Sequence, residues 1–138
     1  MKILILCTGN SCRSQMAHGF LQSFDEKLEV HSAGTNPANR VNPLAIEVMK
    51  EAGIDISLHT PIDVSYYLNE SWDYVITVCG DADKNCPVFR GDVKCRMHIG
   101  FDDPSSSVGS DQFIKREFRR IRDQIKYCFA QLYDEIYR

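Results

Sequence analysis

The chain has no long apolar run, no strong net charge, no internal repeat and no low-complexity tract. Its opening, MKILILC, is apolar for too few residues to form a signal-peptide core or a membrane span, so the expectation is a cytoplasmic protein that does not engage the membrane. A formal charge of −3, from 16 Lys and Arg against 19 Asp and Glu, provides no bulk attraction for nucleic acid. Any anion site must therefore be local. Nothing resembling a linker divides the 138 residues, which are enough to bury one substantial core and predict a single domain over residues 1–138.

What the chain does have is cysteine, at positions 7, 12, 79, 86, 95 and 128. In a reducing compartment six thiols read as catalytic, redox or metal-binding groups before they read as structural disulfides. A zinc site from Cys79, Cys86, Cys95 and His98 is disfavoured, because these gaps lack the short paired spacing of structural zinc motifs, and no metal is expected. Cys95 falls on a predicted strand and Cys128 in an apolar helical stripe, where both read as packing residues.

Strand and helix signals alternate. Residues 2–6 form an apolar run suited to a strand buried on both faces, and Met16, Phe20 and Phe24 recur at helical spacing in 14–24. Residues 28–34 read as a second strand stopped by Gly34. A helix follows over 42–53, with Pro43 in its first turn and Gly53 behind it. Residues 73–79 and 94–100 are the third and fourth strands, separated by a charged segment, 80–92, of loop composition. From Ser110, a plausible N-cap, a long helix carries Ile114, Phe118, Ile121, Ile125, Cys128 or Phe129, Leu132 and Ile136 on one face. The basic run 115–126 is its polar face. This alternation predicts an α/β fold on a mainly parallel sheet, with ligands bound beyond the carboxyl ends of the strands.

Cys7 lies at such an end, within CTGNSCRS. A loop whose N–H groups face inward, leading into a helix N-terminus, would cradle a tetrahedral oxyanion. The loop comprises Thr8, Gly9, Asn10, Ser11, Cys12, Arg13 and Ser14: Gly9 is expected to permit the tight backbone, and Arg13 to add a bidentate donor. The same donors would stabilise a thiolate and lower the Cys7 pKa from ~8.5. The second cluster is VCGDADKNCP, with Cys79 at a strand end and Cys86 beyond it. If strands one and three are parallel neighbours, Cys7 and Cys79 emerge about one strand spacing apart, ~5 Å plus loop slack, which makes a disulfide feasible, and the 80–92 loop could move Cys79 inward and Cys86 outward.

CTGNSCRSQMA closely resembles the phosphate-binding loop of the low-molecular-weight tyrosine phosphatase superfamily. That resemblance implies a three-layer sandwich with a four-stranded parallel sheet, Cys7 as nucleophile, Arg13 as oxyanion clamp, Asn10 and Ser14 as loop-shaping residues, and Ser14 directed at the nucleophilic sulfur. SAG at 32–34, KEAGIDIS at 50–57, CGDA at 79–82, CP at 86–87 and GFDDP at 100–104 are similar to the thioredoxin-coupled arsenate reductases within it. This implies a relay that reduces arsenate to arsenite: Cys7 attacks arsenic, Cys79 attacks Cys7, and Cys86 attacks Cys79 to leave a disulfide for thioredoxin, or another carrier such as glutaredoxin. It further implies Asp102 as the acid, with adjacent Asp103 the alternative, and a monomer. Members that hold a structural potassium ion have an acidic residue where this chain has His18, so Asn10 and Ser32 alone remain as potential ligands. DPY, which carries the general acid of the true phosphatases near the C-terminus, is absent. The alternatives are a tyrosine phosphatase working through a Cys7 phosphocysteine, and a redox sensor without turnover.

Overall fold

The computed structural model describes residues 1–137. Four parallel strands, β1 (Lys2–Cys7), β2 (Glu29–Gly34), β3 (Trp72–Thr77) and β4 (Val93–His98), form one sheet in the order β2-β1-β3-β4. Ile3, Leu4, Ile5 and Leu6 of β1 are fully buried, as an apolar run in an interior strand requires. Helices α1 (Arg13–Phe24), α2 (Pro43–Glu51), α3 (Gly80–Lys84) and α4 (Asp111–Ile136) complete the expected α/β sandwich.

The chain leaves β1 for β2 on one side and later returns to build β3 and β4 on the other. Strand order therefore reverses between β1 and β3, where the ends of two strands open a crevice for a ligand. Cys7 ends β1, paired with Gly34 of β2, and Cys79 lies two residues beyond the end of β3.

Local signals explain most boundaries. Asn42 caps α2 by accepting from Leu44 N–H, Pro43 occupies the first turn, and Gly53 at φ 81° follows the helix. Ser110 caps α4, whose buried stripe is Phe118, Ile121, Ile125, Phe129 and Leu132, with Cys128 half-buried beside it. Two expectations required adjustment. Strand β3 ends at Thr77 rather than at 79, and 80–84, expected as loop, forms the short helix α3.

Candidate active site

The loop from Cys7 to Ser14 is built by turning its carbonyls outward. The carbonyls of Cys7, Thr8, Gly9 and Ser11 accept from the N–H groups of Thr35, Asn36, Ala38 and Asn42, and the Asn10 carbonyl accepts from Gln15 Nε2. In a planar trans peptide the following N–H points the opposite way, so outward carbonyls leave amides on the inner face. One of them, Asn10 N–H, bonds the Cys7 sulfur. Helix α1 begins at the loop's end without a side-chain cap on its first turn, which leaves its N-terminal donors for an anion.

The residue in the left-handed conformation is Asn10, at φ 50°, and not Gly9, whose expected conformational role is absent. Buried Asn10 is locked on three sides: Nδ2 donates to Ser14 Oγ at 2.7 Å, Oδ1 accepts from Ile62 N–H at 3.0 Å, and its carbonyl holds Gln15. Ser14 is thus turned to Asn10, and no Ser14–Cys7 hydrogen bond forms among the described residues. The glycine that the loop does require is Gly34, where a Cβ would stand 2.5 Å from the Thr8 carbonyl oxygen.

Arg13 reaches Phe101 O through Nη1 at 2.9 Å, and its Nη2 faces Asp103 Oδ2 at 3.6 Å. Its Nε is buried without a partner, a donor that an oxyanion would satisfy. Asp102, expected as the acid, does not face Arg13. Its side chain is 83% exposed and pairs with Arg120 at 3.7 Å, whereas Asp103, which caps the turn at Pro104–Ser106, lies against the guanidinium. The turn carries the second carboxylate to the loop and the first to solvent.

Cys7, only 4% exposed, shares a hydrogen bond with the sulfur of Cys79. The loop segment thus has Cys79 inward at the outset. That bond, together with burial, pushes the Cys7 thiol up, while Arg13 and Asn10 N–H act against it. Cys79 is pulled down to about 5 by the same bond, helped by Thr8 and Ala82 N–H. The pair therefore gives up its first proton readily and its second with difficulty, because a second charge would sit beside the first. The lowered pKa expected of Cys7 is therefore not found there: Cys7 is raised by Cys79 and burial, and Cys79 is the thiol that is lowered. Cys12 is different: burial, reinforced by Asp103, pushes its thiol up to about 12, so it lines the loop as a neutral group.

Cys79 also caps α3 by accepting from Ala82 N–H, and the helix is tied down by Thr8 donating to Asp81 at 2.9 Å and Thr77 donating to Asp83 at 3.2 Å. Cys86 lies two residues beyond α3, half-buried. The structure thus brings Cys7, Arg13, Cys79 and Asp103 together and leaves Cys86 apart.

No group of three or more His, Cys, Asp or Glu side chains converges for a metal among the described residues. Potassium does not fit at the place the resemblance suggests. The Ser32 hydroxyl is engaged by His18 Nδ1 at 2.9 Å, Asn10 Oδ1 is taken by Ile62, and His18 supplies no carboxylate. Burial, with His59 and His31 nearby, holds His18 neutral at a pKa of about 3. Sequence reasoning missed the support that Gln15 and His59 give the loop: His59 Nδ1 meets Gln15 Oε1 at 2.9 Å, and Gln15 holds the Asn10 carbonyl.

The model of the low molecular weight phosphotyrosine protein phosphatase family matches residues 2–138. The arsenate reductase 2 of Staphylococcus epidermidis is 48% identical over 125 residues, 90% of this chain and 89% of that protein. A solved arsenate reductase in the phosphate-binding state superposes with a TM-score of 0.81 at 33% identity, covering 98% of each chain. A thioredoxin-dependent arsenate reductase of Corynebacterium glutamicum gives 0.69 at 27% identity, covering 99% of this chain and 61% of that one. The match runs over almost the whole chain, which belongs to the low-molecular-weight phosphotyrosine protein phosphatase family, among relatives that are arsenate reductases.

Proposed function

We propose that the protein reduces arsenate to arsenite in arsenic detoxification, through Cys7, Cys79 and Cys86. One observation carries the reading: a second thiol, Cys79, lies two residues beyond the neighbouring strand and close enough to Cys7 that each shifts the other's ionisation. Hydrolysis of a phosphocysteine needs only water there, whereas reduction needs a thiol within bonding distance of the nucleophile. The names of the relatives support the same choice.

Arsenate binds the loop amides and Arg13, whose orphaned Nε gains a partner. Cys7 passes its proton to the neighbouring Cys79 sulfur and attacks as the thiolate, with Arg13 favouring the charge. Cys7 Sγ bonds arsenic, and one oxygen departs as water after protonation by Asp103, the carboxyl group beside Arg13. Cys79 then attacks Cys7 Sγ. The sulfur–arsenic bond breaks with its electron pair passing to arsenic, so As(V) becomes As(III), arsenite leaves, and a Cys7–Cys79 disulfide remains. Cys86 attacks Cys79 in turn and releases Cys7. A dithiol protein such as thioredoxin reduces the resulting Cys79–Cys86 disulfide, a reading supported by the thioredoxin-dependent neighbour.

The last exchange requires α3 to unwind. Seven residues of mostly helical rise set Cys79 and Cys86 about 10 Å apart along the chain, beyond the ~7 Å at which Cα atoms can be bridged.

The deciding assay couples arsenate to NADPH oxidation through thioredoxin and thioredoxin reductase. Turnover should require arsenate and be lost in each of Cys7→Ser, Cys79→Ser and Cys86→Ser. Full multiple turnover in Cys86→Ser would overturn the relay. Hydrolysis of an aryl phosphate without any reductant, surviving Cys79→Ser and Cys86→Ser, would instead make the protein a phosphatase.

A further inference from the structure

Cys86 is not surrounded by the oxyanion loop. It opens onto a separate pocket lined by Val75, Thr77, Asp83, Arg96, Met97 and His98, beside the edge strand β4. Arg96 Nη1 lies 3.7 Å from Cys86 Sγ and its guanidinium stands over the Phe89 ring, 5.4 Å from the centroid. Phe89 is itself buried, so the cation is braced by an aromatic face on the same segment that carries the thiol. No carboxylate pairs with Arg96 among the described residues. The nearest acid, Asp83, is occupied. Thr77 gives its only hydroxyl proton to Asp83, so His98 Nδ1 must donate to Thr77, at 2.8 Å, and the three form a hydrogen-bonded chain.

We propose that Arg96 favours the ionisation of Cys86 as it makes the third-thiol attack, a role resting on the relay reading above. Half-burial by itself disfavours the charged form of this sulfur, and a cation beside it works the other way. Burial, the largest influence, leaves the Cys86 thiol above its ordinary value and Asp83 adds to the push, while Arg96 offsets part of it by its charge and by its hydrogen bond. In the step itself, Cys86 gives its proton to solvent and attacks Cys79 Sγ. The Cys79–Cys86 bond forms, the Cys7–Cys79 bond breaks, and Cys7 leaves with the electron pair as a thiolate facing Arg13. Disulfide exchange changes no net oxidation state.

The test is the pH profile of Cys86 alkylation by iodoacetamide in the reduced full-length protein, resolved by peptide mass spectrometry. In Arg96→Met the midpoint should move up by about one pH unit, a tenfold loss of thiolate at pH 7. Since a thiolate of higher pKa is intrinsically more nucleophilic, with a Brønsted slope of about 0.4–0.5, the net fall in rate at pH 7 is about threefold. Arg96→Lys should recover part of the shift, and Asp83→Asn should move the midpoint the other way. An unchanged midpoint in Arg96→Met together with an unchanged one in Asp83→Asn would overturn the proposal. In single turnover, Arg96→Met should slow Cys79–Cys86 disulfide formation and spare Cys7–Cys79 formation. If the midpoint shifts but a Cys79–Cys86 disulfide never forms in the unaltered protein, the relay fails and the Arg96–Cys86 pairing stands.

Discussion

Two side chains fix the geometry of the Cys7–Ser14 loop at the residue scale. Asn10 accepts a left-handed backbone and is held there by Ser14, Ile62 and Gln15, while Arg13 is packed with one donor unpartnered. Arg13→Lys removes the planar fork but keeps a charge. Losing one charge-assisted hydrogen bond, worth about 1.5–3 kcal/mol, should weaken sulfate or arsenate binding by roughly 10- to 100-fold in a calorimetric titration. The sulfur pair makes a separate prediction. One thiolate per chain should appear in a titration of absorbance at 240 nm with a midpoint near pH 5, because Cys79 is pulled down to about 5 by its bond to Cys7. Cys7→Ser should move that midpoint up, since the serine hydroxyl is a weaker donor to the sulfur. A midpoint unaffected by Cys7→Ser would mean that the two sulfurs do not share a proton.

At the scale of elements, close approach decides what may be substituted. Gly19 on α1 sits under Met49, Ile54 and Ile56, where a Cβ would come within 2.9 Å of Ile56 Cγ2. Gly19→Ala should therefore cost about 1–3 kcal/mol in chemical denaturation while leaving the loop geometry intact. Gly34→Ala differs, because the atom in its way is the Thr8 carbonyl oxygen of the loop itself. Its expected effect is loss of oxyanion binding beyond any loss of stability, measured as affinity in the still-folded fraction. The alternation of apolar runs and helical stripes made β1, β2, α1, α2 and α4 legible in the sequence, since each announces its own burial. Helix α3 was not legible. Five residues are marginal as an isolated helix, and α3 exists because Cys79 caps it and Thr8 and Thr77 hold its two aspartates. The same limit applied to Asp102 and Asp103: adjacent carboxylates read alike until a turn sends one to Arg120 and the other to Arg13. Cys7, Arg13 and the three thiols could be read because loop, strand end and cysteine spacing are local patterns. The braces of Gln15, His59 and Arg96 could not, because each depends on how side chains are turned once the chain has folded.

Across the whole molecule, stability should weaken in acid. His18 has a folded pKa of about 3 against an ordinary value near 6.5, so between these values the unfolded chain binds a proton that the folded chain refuses. The contribution is therefore present above pH 6.5 and is lost as pH falls toward 3, at most about 1.4 kcal/mol per pH unit from this group. Glu51, held at about 2 by hydrogen bonds from Arg119 and Arg122 of α4, adds a loss in the same direction below its ordinary carboxylate range. Urea midpoints measured from pH 7.5 to 4.5 should fall, and His18→Gln should flatten the upper part of that fall. An identical slope in the variant would assign the acid sensitivity elsewhere.

The three sulfurs also have an order in space. Cys7 is enclosed at the end of an interior strand, Cys79 stands beyond its neighbour, and Cys86 opens beside the edge strand. Cys7 is almost wholly enclosed, whereas Cys86 is half-exposed and is the sulfur a protein reductant would meet first. In the proposed relay the oxidant and the reductant thus never compete for one atom. Oxidation travels outward through the molecule, and a bulky reductant cannot short-circuit the reaction by stripping Cys7 before arsenite has gone.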